Sequence, residues 1–325
     1  MKRVLAPFIS LSALFLGGCA VTTHANRPAD LGVSVGSRAM EARLDEPGPI
    51  VLETIVAADW SVPLSGMLDL DHPVAEAAGL EDRDEPIQIY LWVLRHPTEG
   101  TTLIDSGVAR GIRDGTSDVV GTVVEWAMHT EALQTHVDTA SWLAAQPSPP
   151  ARVLITHLHL DHILGLADIP AGTPIYVGPG EAQATRFLNA AVQGTTDRAL
   201  AGHDALRTLA IPPDPDGVLT GVLDVFGDGS LYAIHAPGHT PGMLAFVVRT
   251  TEGPVLLTGD VSHTTWGFAH GVAPGSYSAD REQGQRSLDG LRELAARHPS
   301  MRVRAGHQSF ADPRADAILG ATSAR

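Results

Sequence analysis

The chain has 325 residues and a formal net charge of −15, with 22 Lys and Arg against 37 Asp and Glu. This excess of acid argues against a nucleic-acid partner, because phosphate binding needs a basic face and no basic run supplies one. Hydrophobic residues make up 44% of the chain and charged residues 18%, which is not a disordered composition and is enough for a substantial core.

In chain order, a first strand is predicted at 50–57, a long loop at 61–85, and further strands at 87–94 and 101–104. Apolar residues at helical spacing predict a helix over 119–145, and a short buried strand follows at 152–156. Residues 166–230 show no pattern that assigns an element. Strands are then predicted at 231–235, 243–249 and 254–258, a helix at 280–298, and a last strand at 301–304. Two blocks of strands with interspersed helices suggest sheets that are covered by helices.

The amino terminus is predicted to be a secretory leader. Lys2 and Arg3 precede an apolar stretch that is too short to span a bilayer and ends in small residues. The run Leu16-Gly17-Gly18-Cys19 resembles a bacterial lipobox, in which the chain is cut before the cysteine and the cysteine is then acylated. An ordinary signal peptide with an incidental cysteine is the alternative.

Cys19 is the only cysteine of the chain, so the acylated protein has no free thiol and no internal disulfide. We expect a lipoprotein signal peptide at 1–18, a tether at 19–49 that folds in part onto the body, and one folded domain at 50–325. Because Ala20 rather than Asp follows the cysteine, the expected location is the bacterial cell envelope, anchored by lipid at the periplasmic face of the outer membrane.

Histidines and carboxylates cluster where predicted strands end. The densest run is Thr156-His157-Leu158-His159-Leu160-Asp161-His162. A continued strand would turn His162 away, and a helix would separate His157 from His159, so a loop is expected to bring the four ligand-type residues inward. Their number favours two adjacent metal ions, and a histidine-rich surface turn is the alternative.

Three later positions also follow predicted strands and have glycine beside them, namely His239, Asp260 and His307. Imidazole and carboxylate without thiolate suit zinc, and also Mn, Fe or Co. Two ions about 3.5–4 Å apart can share a hydroxide, and zinc lowers the pKa of bound water to about 7. The predicted reaction is hydrolysis by a metal-bridging hydroxide, with Asp161 placed to orient it or to move a proton.

From about Ile50 to His307 this set of residues resembles the metallo-β-lactamase-fold hydrolase superfamily. The resemblance implies a four-layer αββα sandwich with the metal site at the edge between two mixed sheets. It also implies two Zn²⁺ ions with these ligands: His157, His159 and His239 for one, Asp161, His162 and His307 for the other, and Asp260 bridging both. Asp105 matches the family's supporting aspartate near the first ion, and a strand-end turn cap is the alternative.

The pattern is closest to the acyl-homoserine lactone lactonases, which the run from Ala236 to Gly242 resembles. The bridging Asp260 argues against true β-lactam hydrolases, and glutathione-thioester hydrolases have basic C-terminal residues without a match here. The lactonases place a tyrosine three residues after the bridging aspartate, where this chain has His263. We interpret His263 as catalytic, either as a hydrogen-bond donor or as an acid.

The predicted substrate is therefore a small-molecule lactone or carboxylic ester. A phosphotriester or phosphodiester cleaved at the same site is one alternative, and a non-catalytic metal-binding lipoprotein is another. Five apolar side chains near the site are interpreted either as packing or as the wall of an acyl pocket; they are Trp60, Met67, Leu68, Trp266 and Phe268.

Replacing Cys19 with serine is expected to remove the acylation site, so that Cys19→Ser appears as soluble or uncleaved protein. The wild type should fractionate with membranes, because each buried CH₂ of an acyl chain contributes about 0.8 kcal/mol. Membrane fractionation and the intact mass of the purified protein measure this. A wild type that carries no lipid mass, together with unchanged fractionation of the variant, would contradict the prediction.

Overall fold

Two mixed β-sheets pack face to face, because the strands alternate apolar side chains between their two sides. A computed structural model describes residues 24–120, 132–184 and 188–308, so the predicted leader and Cys19 lie outside the described residues. The strands are β1 (Asn26–Pro28), β2 (Val33–Val35), β3 (Val51–Pro63), β4 (Asp84–His96), β5 (Gly100–Ile104), β6 (Gln134–Thr135), β7 (Arg152–Leu154), β8 (Ile175–Val177), β9 (Leu206–Thr208), β10 (Gly221–Asp224), β11 (Leu231–His235), β12 (Leu244–Thr250), β13 (Gly253–Leu257) and β14 (Arg302–Arg304).

The first sheet has the strand order β1-β9-β8-β7-β5-β4-β3-β6, and the second has the order β14-β13-β12-β11-β10-β2. The helices are α1 (Ser37–Glu41), α2 (Leu64–Met67), α3 (Pro73–Ala77), α4 (Arg110–Arg113), α5 (Thr139–Ala144), α6 (Leu160–Ile163), α7 (Leu188–Ala199), α8 (Thr265–His270) and α9 (Arg281–Arg297). Of the described helices, none has both the length and the apolar character that crossing a bilayer requires.

The core lies in three layers that separate four layers of backbone. Between the sheets, Trp92 and Ile104 of the first sheet pack with Phe246 and Leu257 of the second. The outer face of the second sheet buries the apolar stripe of α9 through Leu288, Leu291 and Leu294. The outer face of the first sheet packs against helices that include α5 and α6. The expected αββα sandwich is confirmed.

The segment assigned to a tether is partly built into the body. β1 pairs in parallel with β9 and β2 pairs antiparallel with β10, so residues 26–35 add an edge strand to each sheet. Their partners lie far along the chain, so the pairing leaves no local sequence pattern.

Two other predicted elements differ from the structure. The loop expected at 61–85 contains the end of β3, the helices α2 and α3, and the start of β4. Within the helix expected at 119–145, α5 begins only after Asp138, whose carboxylate accepts a hydrogen bond from the Ser141 amide at 2.7 Å. Residues 134–135 form β6 instead, and residues 121–131 lie outside the described residues.

The carboxyl ends of several strands from both sheets meet at one edge of the sandwich. In the first sheet β5, β7 and β8 run parallel, and in the second β13 and β14 run parallel. The residues that follow these strand ends are therefore carried into one region, which is where the chemistry predicted from the sequence lies.

Candidate metal centre

Three histidines from two loops bring their ring nitrogens together. His157 and His159 follow β7, and His239 follows β11. The Nε2 atom of His239 lies 3.1 Å from Nε2 of His157 and 2.8 Å from Nδ1 of His159. All three side chains are buried, so these nitrogens form one compact donor set.

A second donor set lies beside the first. Nε2 of His307 is 3.1 Å from Oδ2 of Asp161 and 3.2 Å from Oδ2 of Asp260. Nε2 of His162 is 3.4 Å from the same Asp260 oxygen. Asp161 and His162 lie on the one-turn helix α6, so the loop predicted for this run ends at His159.

Asp260 joins the two sets. Its Oδ2 atom is 3.6 Å from Nε2 of His157 and 3.4 Å from Nε2 of His239, in addition to its contacts with the second set. Nε2 of His263 approaches the same oxygen at 3.0 Å. The structure thus brings together every site residue predicted from the sequence: His157, His159, Asp161, His162, His239, Asp260, His263 and His307.

The donor atoms fit divalent metal ions. Four ligands about 2.0–2.1 Å from a tetrahedral Zn²⁺ lie about 3.3 Å from one another. Neighbouring donors here lie 2.8 to 3.8 Å apart, and all the donor atoms of each set lie within 4.8 Å of one another. Within the described residues, the buried Nε2 of His162 and Oδ1 of Asp260 have no hydrogen-bond partner. Unpartnered buried polar atoms are costly, and a cation would satisfy them.

The two sets differ in protonation. Burial lowers the pKa of His157 and His239 well below the usual value and that of His159 to about 4, so these imidazoles are neutral and ready to bind a cation. In the second set, burial is outweighed by Asp260 and Asp161, which raise the pKa of His307 to about 10. Metal binding there would displace protons, because only neutral imidazole is a ligand.

Asp105 holds one ligand in position. It is the only described non-glycine residue with a positive φ, at 59°, a strained backbone that residues at functional sites often adopt. Its Oδ2 atom accepts a hydrogen bond from Nδ1 of His162 at 2.8 Å, which leaves Nε2 of that ring for the metal. Asp105 was expected near the first ion. In the structure it contacts His162 of the second set directly, and it reaches the first set through Thr156, whose Oγ1 lies 3.2 Å from Nδ1 of His157. The β5 turn brings it to the α6 side of the site.

Two glycines are required by close backbone approach. Gly238 has φ of 141°, and a Cβ atom there would lie 2.2 Å from the amide nitrogen of Gly284 in α9. A Cβ atom at Gly306 would lie 2.3 Å from Oδ1 of Asp260. The glycines beside the predicted ligands therefore allow the close backbone approach that the sequence suggested.

The five apolar side chains interpreted as packing or as a pocket wall fall into two clusters. Trp60, Met67 and Leu68 are buried in one cluster with Trp266, whose ring stacks on His270 at 4.3 Å. Phe268 packs on a different cluster, against the second sheet.

Sequence reasoning missed Glu181 and Tyr277. Glu181 is a lone carboxylate in a glycine-containing turn after β8, and its partners are 23 and 59 residues away. The Tyr277 ring lies 6.4 Å from the His263 ring and rests directly on Gly66 of α2. Neither residue belongs to a local sequence motif, so only the tertiary contacts in the structure place them beside the site.

Comparison with known proteins places the chain among metal-dependent enzymes. The sequence pattern of the Metallo-beta-lactamase superfamily matches residues 84–307. The N-acyl homoserine lactonase AttM of Azorhizobium caulinodans is 31% identical over 238 residues, which cover 71% of this chain and 85% of the relative. The N-acyl homoserine lactonase AttM of Agrobacterium fabrum is 30% identical over 237 residues, 69% of this chain and 83% of the relative.

Solved structures share the fold. An N-acyl homoserine lactone hydrolase with the product N-hexanoyl-L-homoserine at its catalytic metal centre superposes with a TM-score of 0.57 and 20% identity, covering 79% of this chain and 92% of that chain. AidC, a dizinc quorum-quenching lactonase, gives a TM-score of 0.55 and 15% identity, covering 87% of this chain and 93% of that chain.

Elemental analysis of the purified protein is expected to approach two metal equivalents per chain. Asp260→Ala should lower this content, because the shared carboxylate is lost from both donor sets. Asp214→Ala is the control, since Asp214 is also a largely buried carboxylate but accepts its hydrogen bonds from backbone amides, including Val218 and Leu219. A wild type that binds no transition metal after reconstitution would rule out the metal centre.

Proposed function

This chain belongs to the metallo-β-lactamase superfamily and is a metal-dependent hydrolase, and we propose that it opens lactone rings, with N-acyl homoserine lactones as the substrate class. The observation that carries the proposal is the convergence of both donor sets on one oxygen of Asp260. The lactonases that the chain resembles over about 70% of its length support the substrate class.

The ligands would divide between two ions. His157, His159 and His239 would hold one, and Asp161, His162 and His307 would hold the other, with Asp260 shared. Two Zn²⁺ ions would supply a hydroxide nucleophile at neutral pH and polarise the ester carbonyl; Mn, Fe or Co fit the same donors. The dizinc neighbour AidC supports zinc.

Asp161 is suited to handle the proton of the attacking water. Its side chain is 14% exposed, more than the other ligands, so it lies on the side of the site that water and substrate reach. Burial alone would raise its pKa, but His162 and His307 hold the pKa below the usual value and keep the carboxylate ionised. An ionised carboxylate can accept a hydrogen bond from water and orient it.

His263 is suited to stabilise the reacting carbonyl oxygen. Its Nε2 atom points to the centre of the site, 3.0 Å from Oδ2 of Asp260, and its ring stacks with that of His307 at 5.4 Å. A donor fixed where negative charge develops lowers the barrier, because it needs no reorganisation during the reaction.

A hydrolysis panel tests the proposal on protein reconstituted with zinc and, in parallel, with manganese. N-acyl homoserine lactones are expected to be cleaved with a higher kcat/KM than an unsubstituted lactone, an aryl ester or a phosphotriester. A preference for the phosphotriester would establish the alternative ester class. Absence of hydrolysis by protein that holds two metal equivalents would mean a non-catalytic metal-binding protein.

His263→Ala is expected to keep both metals and the fold but to lose about 10²–10³ in kcat on the best lactone, the effect of removing one donor of this kind. His263→Tyr should recover part of the activity, because a phenol also donates a hydrogen bond. Steady-state kinetics with metal analysis measure both variants. Wild-type rates for His263→Ala on every substrate would show that the ring only fills space.

A further inference from the structure

Glu181 joins the two loops that carry the first donor set. It lies in the turn after β8, and its side chain is 1% exposed. We propose that Glu181 is a positioning residue that sets the three-histidine half of the metal centre, through its hydrogen bonds to the loops on either side. The inference rests on the proposed function only in requiring that the site binds metal.

Each carboxylate oxygen of Glu181 serves one loop. Oε1 accepts a hydrogen bond from the amide of Leu158, at 2.7 Å, and Leu158 lies between His157 and His159. Oε2 accepts bonds from Oγ1 of Thr240 at 2.7 Å and from the amide of Gly242 at 3.0 Å. One side chain therefore fixes the distance between two loops that come from different sheets.

The backbones around this contact are packed without spare room. A Cβ atom at Gly242 would lie 2.4 Å from the Cβ atom of Glu181, and one at Gly178 would lie 1.9 Å from the carbonyl oxygen of Gly242. The turn at 178–181 and the loop at 238–242 are thus in direct contact, and the Glu181 carboxylate has no space to move to other hydrogen-bond donors.

The electrostatics agree with a positioning role. No Lys or Arg of the described chain forms an ion pair with Glu181, so hydrogen bonds from the two loops compensate its charge. Burial raises its pKa, and the donors from Leu158, Thr240 and Gly242 oppose that rise. A buried carboxylate is costly unless its hydrogen bonds are complete, so displacement of either loop is penalised.

The second donor set has a different support. His162 is held by Asp105, and His307 donates from Nδ1 to the carbonyl oxygen of Gln88 at 3.0 Å. Within the part of the chain that the structure describes, Glu181 makes no hydrogen bond to either histidine. Loss of the Glu181 bonds should therefore weaken one metal equivalent and leave the other unchanged.

Glu181→Gln tests this, because an amide offers one oxygen and one NH₂ where two accepting oxygens are needed. Zinc titration of the metal-free protein against a chromogenic chelator, without substrate, is expected to show one of two equivalents bound about 10–100-fold more weakly. Asp224→Asn is the matched control. Asp224 is a buried carboxylate whose oxygens each accept from one backbone amide, Gly227 and Gly229, at the end of β10.

A second variant tests the same contact in case Glu181→Gln does not fold. Thr240→Val keeps the shape of the side chain and removes one of the bonds to Oε2, so the same equivalent should weaken by a smaller factor. The effect of Glu181→Gln should persist in a His162→Ala background and vanish in a His157→Ala background, because only the latter removes the site that Glu181 supports.

Three outcomes would overturn the inference: equal weakening of both equivalents, unchanged zinc affinity in both Glu181→Gln and Thr240→Val, or the same loss in Asp224→Asn. Because zinc affinity is measured without substrate, these results are independent of which ester the enzyme cleaves. Failure of the wild type in the lactone panel would overturn the substrate class and leave the zinc result standing.

Discussion

The side chains of the candidate metal centre are arranged around one buried oxygen, Oδ2 of Asp260. Five imidazole rings approach it within 3.6 Å, and they come from four separate stretches of the chain. The carboxylate is fully enclosed, and so many donors crowded around one acceptor cannot all be satisfied by hydrogen bonds alone. Cations that shared this oxygen would make the arrangement favourable, because they would offset the cost of burying it.

Each donor set takes ligands from both sheets. His157, His159, Asp161 and His162 follow β7 of the first sheet, whereas His239, Asp260 and His307 follow strands of the second. An ion bound by either set would therefore link the two sheets at their shared edge, in addition to the apolar contacts between them. Binding to the folded state alone stabilises that state, so the metal content and the stability of the sandwich are thermodynamically coupled.

The features that could be predicted from the sequence are those whose residues lie close together in the chain. The run from His157 to His162 carries four ligands within six residues, and α9 has a regular apolar stripe, so both were predictable. β1 and β2 were not, because three-residue strands depend on partners almost 200 residues away. α3 begins with His72 as its cap, a residue outside the usual capping set, so the helix start was not recognised. Glu181 acts only through tertiary contacts, which no spacing in the sequence encodes.

The position of the edge strand β1 limits the orientation that the domain could take at a membrane if Cys19 is acylated. His24, just before β1, donates its backbone amide to the carbonyl oxygen of Ala182 at 3.0 Å, beside the turn that contains Glu181. If Cys19 carries lipid, the five residues from Cys19 to His24 reach at most about 18 Å. A body of this size is about 50 Å across. A linker this short would restrict the rotation of the domain, and the side that carries β1 would stay close to the bilayer.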